Sequence, residues 1–296
     1  MAARNPNTSL AKQLERLKSQ QVVEYEHFDV RKRLSVLFEL KEAAEIDDET
    51  VFAIGVNGLQ GLINANRKNF EEFQRDLFHV DSQNVYRSQL TQDENEVMSQ
   101  RIRCFLLRLC PYLMLKASFK CLEWLIRRYS VHLFNTDDIM ACILPYHQSN
   151  QFVRILQVLP IMQQRSRWNW LKNNRISGVP LSSTALQQRC ISDLSILKLI
   201  CCSVQDSLKY NPYANSTALI NLYTSVLVGV FDLNHPDNIT QQLMILLTRY
   251  LIKGIKSNHD ELIAATYMII TQMMMKMTFD KKYTTMLMDR ITKVHH

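Results

Sequence analysis

The sequence predicts an all-α protein in which antiparallel helix pairs stack into an α-solenoid, with an irregular N-terminal half. Only 6 Gly and 7 Pro occur in 296 residues, whereas dinucleotide-binding folds need glycine in their phosphate loops. Leu, Met, Gln, Lys and Arg are abundant, and all five favour helices. Apolar residues also recur at helical spacing along most of the chain. These observations together favour helices throughout.

The clearest helical pattern lies in residues 121–134, CLEWLIRRYSVHLF. Its apolar residues follow the i, i+3, i+4, i+7 rule of a helix that buries one face: Leu122, Leu125, Ile126, Tyr129 and Leu133. Arg127 and Arg128 are expected to point away from that face. The lone acid, Glu123, is expected to pair within the helix with Lys120 or Arg127.

Prolines and capping residues predict where helices end and begin. Pro111, Pro145 and Pro160 are expected to end helices, because proline cannot join the helical hydrogen-bond ladder. Starts are predicted where acidic or capping residues precede an apolar run: Asp47–Glu49, Asn135 or Thr136, Pro236–Asp237, Asn258 and Asp280.

Helix starts recur in the C-terminal third, near positions 193, 216, 237 and 259. A spacing of about 22 residues gives a helix pair of about 44, which is typical of HEAT-type repeats. Each pair would bury one face on the next pair. A compact, irregular helical bundle is the alternative interpretation.

The predicted organisation begins with an N-terminal amphipathic helix or extension at 1–28. A helical-repeat domain is predicted at 29–296, irregular over 29–164. A connecting segment is expected at 165–188, because helical periodicity breaks there. More regular helix pairs are expected over 189–296.

Composition indicates a reduced, soluble, intracellular protein. Seven cysteines lie mostly within apolar runs, which indicates free thiols in a core. Cys-x-x-Cys and paired-His spacings are missing from the sequence, so no metal site is predicted. The N-terminus lacks the apolar stretch of a secretory signal. Apolar runs such as 219–231 fall short of the roughly twenty residues that span a bilayer, so no membrane partner is expected.

Positive charge is concentrated in the middle of the chain. Residues 1–100 hold 12 Lys and Arg against 17 Asp and Glu, whereas residues 101–200 hold 14 against 4. Residues 201–296 hold 9 against 7. A basic region of this kind can attract polyanions without reading a sequence. A solvated surface with a local charge bias is the alternative.

The sequence carries no motif of catalysis or cofactor binding: no GxGxxG, Walker loop, GxSxG or HExxH. Gly55, Gly58 and Gly61 have the wrong spacing for a phosphate loop and lie in a helical pattern. They are expected to let a neighbouring helix pack closely. No catalytic residue, cofactor or small-molecule substrate is therefore predicted.

Two histidines and a group of methionines are candidates for function. His132 and His147 lack a Ser, Cys or carboxylate at suggestive spacing, so they are interpreted as hydrogen-bonded structural histidines. The methionines near 268–277 could form a soft peptide-binding face. Core filling is the favoured interpretation.

A basic segment with two tryptophans, RSRWNWLKNNRISGVP, covers residues 165–180. Trp168 and Trp170 are two apart and cannot both face the core from one helix, so one is expected inward and one at the surface. Cations beside aromatic rings can bind unpaired bases and phosphates; an inter-helix loop anchored by a tryptophan is the alternative. The candidate basic contacts for RNA or an acidic protein are Arg127, Arg128, Arg165, Arg167, Lys172 and Arg175.

Residues 109–159, LCPYLMLKASFKCLEWLIRRYSVHLFNTDDIMACILPYHQSNQFVRILQVL, carry a specific resemblance. Shorter matching stretches occur in order: SLAKQLERL (9–17), ELKEAAEIDDETVFAIGVNGLQGL (39–62), WNWLKNNRISGVPL (168–181) and AATYMIITQM (264–273). The chain resembles the N-terminal region of the U3 small nucleolar RNA-associated protein Ten family, also called HEAT-repeat-containing protein One.

This resemblance implies the N-terminal portion of a large, non-catalytic α-solenoid of the nucleolus. It implies a scaffold in the transcription-associated subcomplex of the small-subunit processome, which acts with U3 RNA on the 5′ external transcribed spacer. The implied roles are pre-18S rRNA processing and RNA polymerase I transcription of pre-rRNA. The implied partners are other processome proteins, with direct contact to U3 RNA or the spacer as a further expectation. A sequence-independent RNA-binding helical module is the alternative.

Overall fold

The computed structural model describes residues 34–164, 166–210, 216–234, 239–278 and 281–292. Within these ranges the chain forms α-helices and short 3-10 helices and no strand, which confirms the predicted all-α class. The expected helix at 1–28 and the candidate Arg165 lie outside the described residues. The division of the chain into the predicted segments stays a prediction.

The helices of the N-terminal half are uneven in length. They are α1 (Leu40–Glu45), α2 (Asp48–Ala65), α3 (Arg67–Phe70), α4 (Gln92–Leu109), α5 (Lys116–Tyr129), α6 (Val131–Phe134), α7 (Thr136–Ile143), α8 (Asn150–Val158) and α9 (Lys172–Ser177). Short 3-10 helices lie at Glu71–Arg75, Val80–Asn84, Arg87–Gln89, Cys110–Tyr112, Leu144–Tyr146 and Asn169–Leu171. α4, α7 and α8 end just before Pro111, Pro145 and Pro160, as predicted.

The C-terminal helices alternate between two layers. They are α10 (Ser183–Ser192), α11 (Leu194–Tyr210), α12 (Thr217–Leu233), α13 (Gln241–Ile255), α14 (Asp260–Lys276) and α15 (Lys281–Thr292). α10, α12 and α14 pack side by side in one layer, and α11, α13 and α15 do so in the other. α10, α11 and α13 also each pack against the helix that follows in the chain. This alternation is the stacking of an α-solenoid.

A side-chain cap is present at one of the predicted helix starts, and the predicted start at Asp280 lies outside the described residues. Asp47 accepts from the Thr50 amide at 2.6 Å, as expected for a cap of α2. The predicted start at Pro236–Asp237 lies outside the described residues, and α13 begins at Gln241. There the hydroxyl of Thr240 accepts from the Leu243 amide and supplies the cap. A Thr cap with no acid beside it is a weak sequence signal.

Glycines of α2 allow close packing against α5, as predicted. A Cβ at Gly55 would lie 2.5 Å from the Cβ of Trp124, and one at Gly58 would lie 2.7 Å from the Ala117 carbonyl. α2 and α5 share more contacts than any other pair of helices in the described part of the chain. The missing side chains therefore let the two helix backbones meet.

The helix predicted over 121–134 is broken. Ser130 takes a left-handed conformation, with φ of 48° and ψ of 39°, and separates α5 from α6. Its amide donates to the Leu125 carbonyl, which closes the end of α5 in the manner of a left-handed C-cap. Leu133 is then 37% exposed rather than in the core. Left-handed serine is uncommon, so the apolar periodicity predicted one continuous helix across Ser130.

Candidate interaction surface

Glu123 is a fully buried carboxylate on α5, and it pairs with Arg127 one turn later. Arg127 Nε lies 2.7 Å from Glu123 Oε1, and the Arg127 side chain is only 6% exposed. The predicted partnership within the helix is confirmed. The expectation that Arg127 points away from the core is wrong, because a buried carboxylate needs a neighbouring cation.

The same carboxylate holds the segment at 34–38. Glu123 Oε2 accepts from the Ser35 hydroxyl at 2.8 Å and from the Val36 amide at 2.9 Å. Arg154, on α8, donates to the Leu37 carbonyl at 2.7 Å. Glu123 and Arg154 thus fix this segment against α5 and α8.

Arg128 also has a neighbouring partner. Its Nε donates to the Ser82 carbonyl at 2.9 Å, and its guanidinium lies 4.2 Å from the centre of the Tyr86 ring. The side chain is half-buried. Arg128 therefore fastens the 3-10 segment Val80–Asn84 to α5.

Arg167 and Trp168 share one carboxylate. Arg167 Nη1 lies 2.8 Å from Asp137 Oδ2, and the indole of Trp168 donates to Asp137 Oδ1 at 2.7 Å. Trp168 is buried, whereas Trp170 is only partly buried and lies beneath the guanidinium of Arg189. The expected inward placement of one tryptophan is confirmed by Trp168, but Trp170 also packs partly against the core instead of lying across the surface.

The two remaining described candidates, Arg175 and Lys172, differ in whether they have a partner within the protein. Arg175 donates twice to the Gln157 carbonyl, at 3.1 and 2.7 Å, and partial burial lowers its pKa. Lys172 is exposed and has no ionic or hydrogen-bond partner among the described residues. Its contact with RNA or an acidic protein, like that of the other candidates, stays a prediction.

The four acids of residues 101–200 are all matched with cations. Glu123 pairs with Arg127, Asp137 with Arg167, Asp138 with Arg103, and Asp193 with Arg189. Other middle-third arginines reach acids elsewhere, as when Arg108 binds Glu72 and Arg103 binds Asp206. Among the described residues, several cations are left without a carboxylate partner.

Three of these cations line one groove, and sequence reasoning missed them. They are Lys116, Lys120 and Arg154. The groove joins parts of the chain far apart in sequence, so no local pattern announces it. The one available signal was the i, i+4 spacing of Lys116 and Lys120.

His132 and His147 are both buried, and the ring of His147 contacts two neighbouring elements. His147 Nδ1 lies 2.9 Å from the Leu144 carbonyl, and Nε2 lies 3.2 Å from the Ser183 hydroxyl. Burial lowers the pKa of His147. The structural interpretation of His147 is confirmed, since both ring nitrogens hold elements together.

The methionine prediction is only partly correct. Met273 is buried in the core, but Met268, Met274 and Met275 are 59%, 42% and 77% exposed. α14 buries one face against α12 and turns these three side chains outward. An unbroken apolar run hides which of its residues face solvent.

Within the described ranges, no group of three or more His, Cys, Asp and Glu side chains is placed to hold a metal ion. None of the helices in those ranges combines the length and apolar character needed to cross a bilayer.

Comparison with known proteins gives a consistent set of relatives. No protein-family model matches the sequence. The chain is 38% identical over 291 residues to HEAT repeat-containing protein 1 of Homo sapiens, which covers 97% of the chain and 13% of that protein. It is 34% identical to the Drosophila melanogaster homologue, over 96% of the chain and 14% of that protein.

A relative with a different name matches less closely. The U3 small nucleolar RNA-associated protein 10 of Mycosarcoma maydis is 30% identical over 72% of the chain and 10% of its own length. The chain therefore spans only a small part of the curated relatives that it matches. Over almost its whole length, the chain is a homologue of the HEAT repeat-containing protein 1 family.

Proposed function

We propose that this chain, as part of a longer protein, is a non-catalytic scaffold in assembly of the nucleolar small-subunit processome. There it supports pre-18S rRNA processing and RNA polymerase I transcription of pre-rRNA. The observation that carries the proposal is the two-layered helical stack, together with a relative named for its association with U3 small nucleolar RNA. In such a stack each helix contacts its neighbours and leaves long outer surfaces for partners.

Two kinds of potentially reactive side chain in the described part serve the fold, which supports a scaffold. Both ring nitrogens of His147 are engaged by neighbouring groups. Burial raises the pKa of the Cys121 thiol well above its usual range. A protonated thiol is a poor nucleophile. Binding would then come from many modest contacts over a large interface.

The partners in this proposal are other proteins of the transcription-associated U3 subcomplex, and the location is the nucleolus within the nucleus. Direct contact with U3 RNA or the 5′ external transcribed spacer is the second candidate. It is favoured by the free ammonium of Lys172 and the part-exposed guanidinium of Arg167.

Depletion of the whole protein in cells tests the cellular role. We expect precursors of 18S rRNA to accumulate and nascent pre-rRNA synthesis to fall, because the scaffold is needed for both. Complementation with the wild-type protein should restore both. Unchanged 18S maturation and unchanged pre-rRNA synthesis after depletion would contradict the proposal.

The RNA candidate is tested by titrating a spacer RNA fragment at several salt concentrations. A phosphate-driven interaction weakens steeply with salt. Changing both Arg167→Glu and Lys172→Glu should flatten that salt dependence. Each single reversal, Arg167→Glu or Lys172→Glu, is compared with Lys256→Glu at the end of α13, which changes the net charge by the same amount. If the double variant keeps the wild-type affinity and salt slope, these two cations do not bind RNA.

A further inference from the structure

A groove of about 510 Å³ lies where the segment at 34–38 meets α5 and α8. Its floor is apolar and is made by Val36, Leu37, Met114 and Phe119. Val36 and Phe119 are buried, whereas Met114 is 50% exposed. Apolar surface therefore continues from the core to solvent at this place.

The rim of the groove is basic and electrically uncompensated. Lys120 donates to the amide oxygen of Asn57 at 2.6 Å, and Arg154 donates to the Leu37 carbonyl, so both contact neutral acceptors. Lys116 is exposed and has no partner among the described residues. Among the described residues, no Asp or Glu lines the groove. The rim thus carries three positive charges and no described negative one.

Two helix N-termini add to this positive potential. α5 begins at Lys116 and α8 begins at Asn150, and both residues line the groove. Neither helix has an acid in its first turn that would offset this potential. A cation in the first turn opposes the helix dipole. Lys116 therefore works against the stability of its own helix, as residues at functional or strained sites do.

We propose that this groove binds an acidic, apolar segment of a partner protein. The apolar side chains of that segment would cover Met114 and Leu37, and its carboxylates would meet Lys116, Lys120 and Arg154. Amphipathic helices bind grooves in this way, with apolar anchors and charged flanks. The inference rests on the proposed scaffold function and deepens it, because it gives the chemistry of one docking surface.

The apolar floor favours a peptide over RNA. Phosphates need cations but gain nothing from covering apolar side chains. Bases need an accessible aromatic face, and the one aromatic ring among the described residues that line the groove, Phe119, is 9% exposed. An acidic, apolar peptide satisfies both the rim and the floor.

The test measures binding of a fluorescein-labelled peptide by anisotropy to the full chain. In the probe, Leu and Phe recur at helical spacing between Glu residues. Lys116→Glu should weaken binding by about tenfold, since charge reversal turns an attraction into a repulsion. Met114→Asn should also weaken it, by loss of apolar cover. Neither side chain has a described polar partner, so both variants should keep the wild-type circular dichroism, and Lys116→Glu should keep or slightly raise the melting temperature because an acid suits the first turn of α5.

The controls separate the groove from general charge attraction. Lys256→Glu should leave the affinity unchanged, and the same peptide with Lys in place of Glu should not bind. Equal affinities for wild type, Lys116→Glu and Met114→Asn would overturn the proposal. An RNA result would also overturn it. That result is a single-stranded RNA that displaces the peptide and binds Lys116→Glu more weakly than wild type, but binds Met114→Asn as tightly as wild type.

A separate readout distinguishes this inference from the scaffold function. The full-length protein carrying Lys116→Glu and Met114→Asn should lose one subset of the proteins that co-purify with the wild type. Recovery of every processome protein by that variant would leave the scaffold function in place and overturn the groove. Recovery of no processome protein by the wild type would instead contradict the scaffold function.

Discussion

Glu123 Oε1 lies 2.7 Å from Arg127 Nε in an ion pair that is almost wholly enclosed by the protein. The second oxygen of Glu123 accepts from the Ser35 hydroxyl and the Val36 amide. One carboxylate thus neutralises a buried cation and binds a segment 87 residues away. The arrangement ties the start of the described chain to α5, next to the basic groove.

Glu123→Gln should therefore destabilise the protein strongly. The change leaves the Arg127 guanidinium buried without a counter-charge, a loss that typically costs about 3–5 kcal/mol. Urea unfolding followed by circular dichroism measures it. The matched control is Glu71→Gln, which breaks the exposed i, i+4 pair between Glu71 and Arg67 and should change little. Equal unfolding midpoints for the two variants would show that the buried pair is not stabilising.

Gly55→Ala should separate α2 from α5. The new methyl group would lie 2.5 Å from the Cβ of Trp124, which is fixed to the α5 backbone. Overpacking of this kind costs about 1–3 kcal/mol, more than the gain of up to about 1 kcal/mol from better helix propensity. Thermal unfolding measures the difference.

Gly61→Ala is the matched control on the same helix. Its methyl group would meet only the Cβ of Ala117, at 3.0 Å, so a smaller loss than for Gly55→Ala is expected. A Gly55→Ala protein as stable as wild type would mean that the helices are not in close contact at Trp124.

Stability should fall as the pH is lowered through the region where His147 is protonated. Burial lowers the pKa of His147 below its ordinary value of 6.5. At a pH between the lowered pKa of the folded protein and the ordinary pKa of 6.5 in the unfolded chain, His147 is protonated only when the chain unfolds. Protonation therefore favours unfolding. The slope from this group is at most about 1.4 kcal/mol per pH unit.

Urea unfolding of the wild type and a variant at a series of pH values below 6.5 tests the predicted loss of stability. His147→Gln keeps a side chain able to bind Ser183 or the Leu144 carbonyl but cannot titrate. The variant should lose part of the pH dependence seen for wild type below pH 6.5. Identical pH profiles for the two proteins would be evidence against a neutral, buried His147.

Thiol labelling should divide the seven cysteines into two groups. Cys110, Cys121, Cys142, Cys190 and Cys201 are buried, whereas Cys104 and Cys202 are partly exposed. Burial raises the pKa of Cys190 to about 12, so its thiolate is scarce at neutral pH. With Ellman's reagent, the five buried thiols should react only after denaturation. Fast labelling of Cys121 or Cys190 in the folded protein would contradict the packing.

Local features were predictable from sequence, and contacts between distant segments were not. The Glu123–Arg127 pair follows from i, i+4 spacing on a helix. The tie from Glu123 to Ser35 does not, because nothing in the sequence around either residue specifies the other. Periodicity predicted the helices, but it continued through Ser130, where one left-handed residue ends α5 and precedes α6.

The candidate surface shows the same division. The basic middle third was evident from composition, but partners decide which of its cations are available. Arg127 was chosen from sequence and is enclosed with a carboxylate, whereas Lys116 was passed over and is exposed. Whether a cation is paired or free depends on which acidic side chains lie beside it in the folded protein. Charge counts along the chain cannot supply that information.

Affinity purification of the full-length protein from nucleolar extract, with and without ribonuclease, tests the scaffold most directly. The outward faces of stacked helices should hold proteins, so a set of small-subunit processome proteins should co-purify and should remain after RNA is digested. Loss of every such protein on ribonuclease treatment, or recovery of none in either sample, would contradict a protein-binding scaffold.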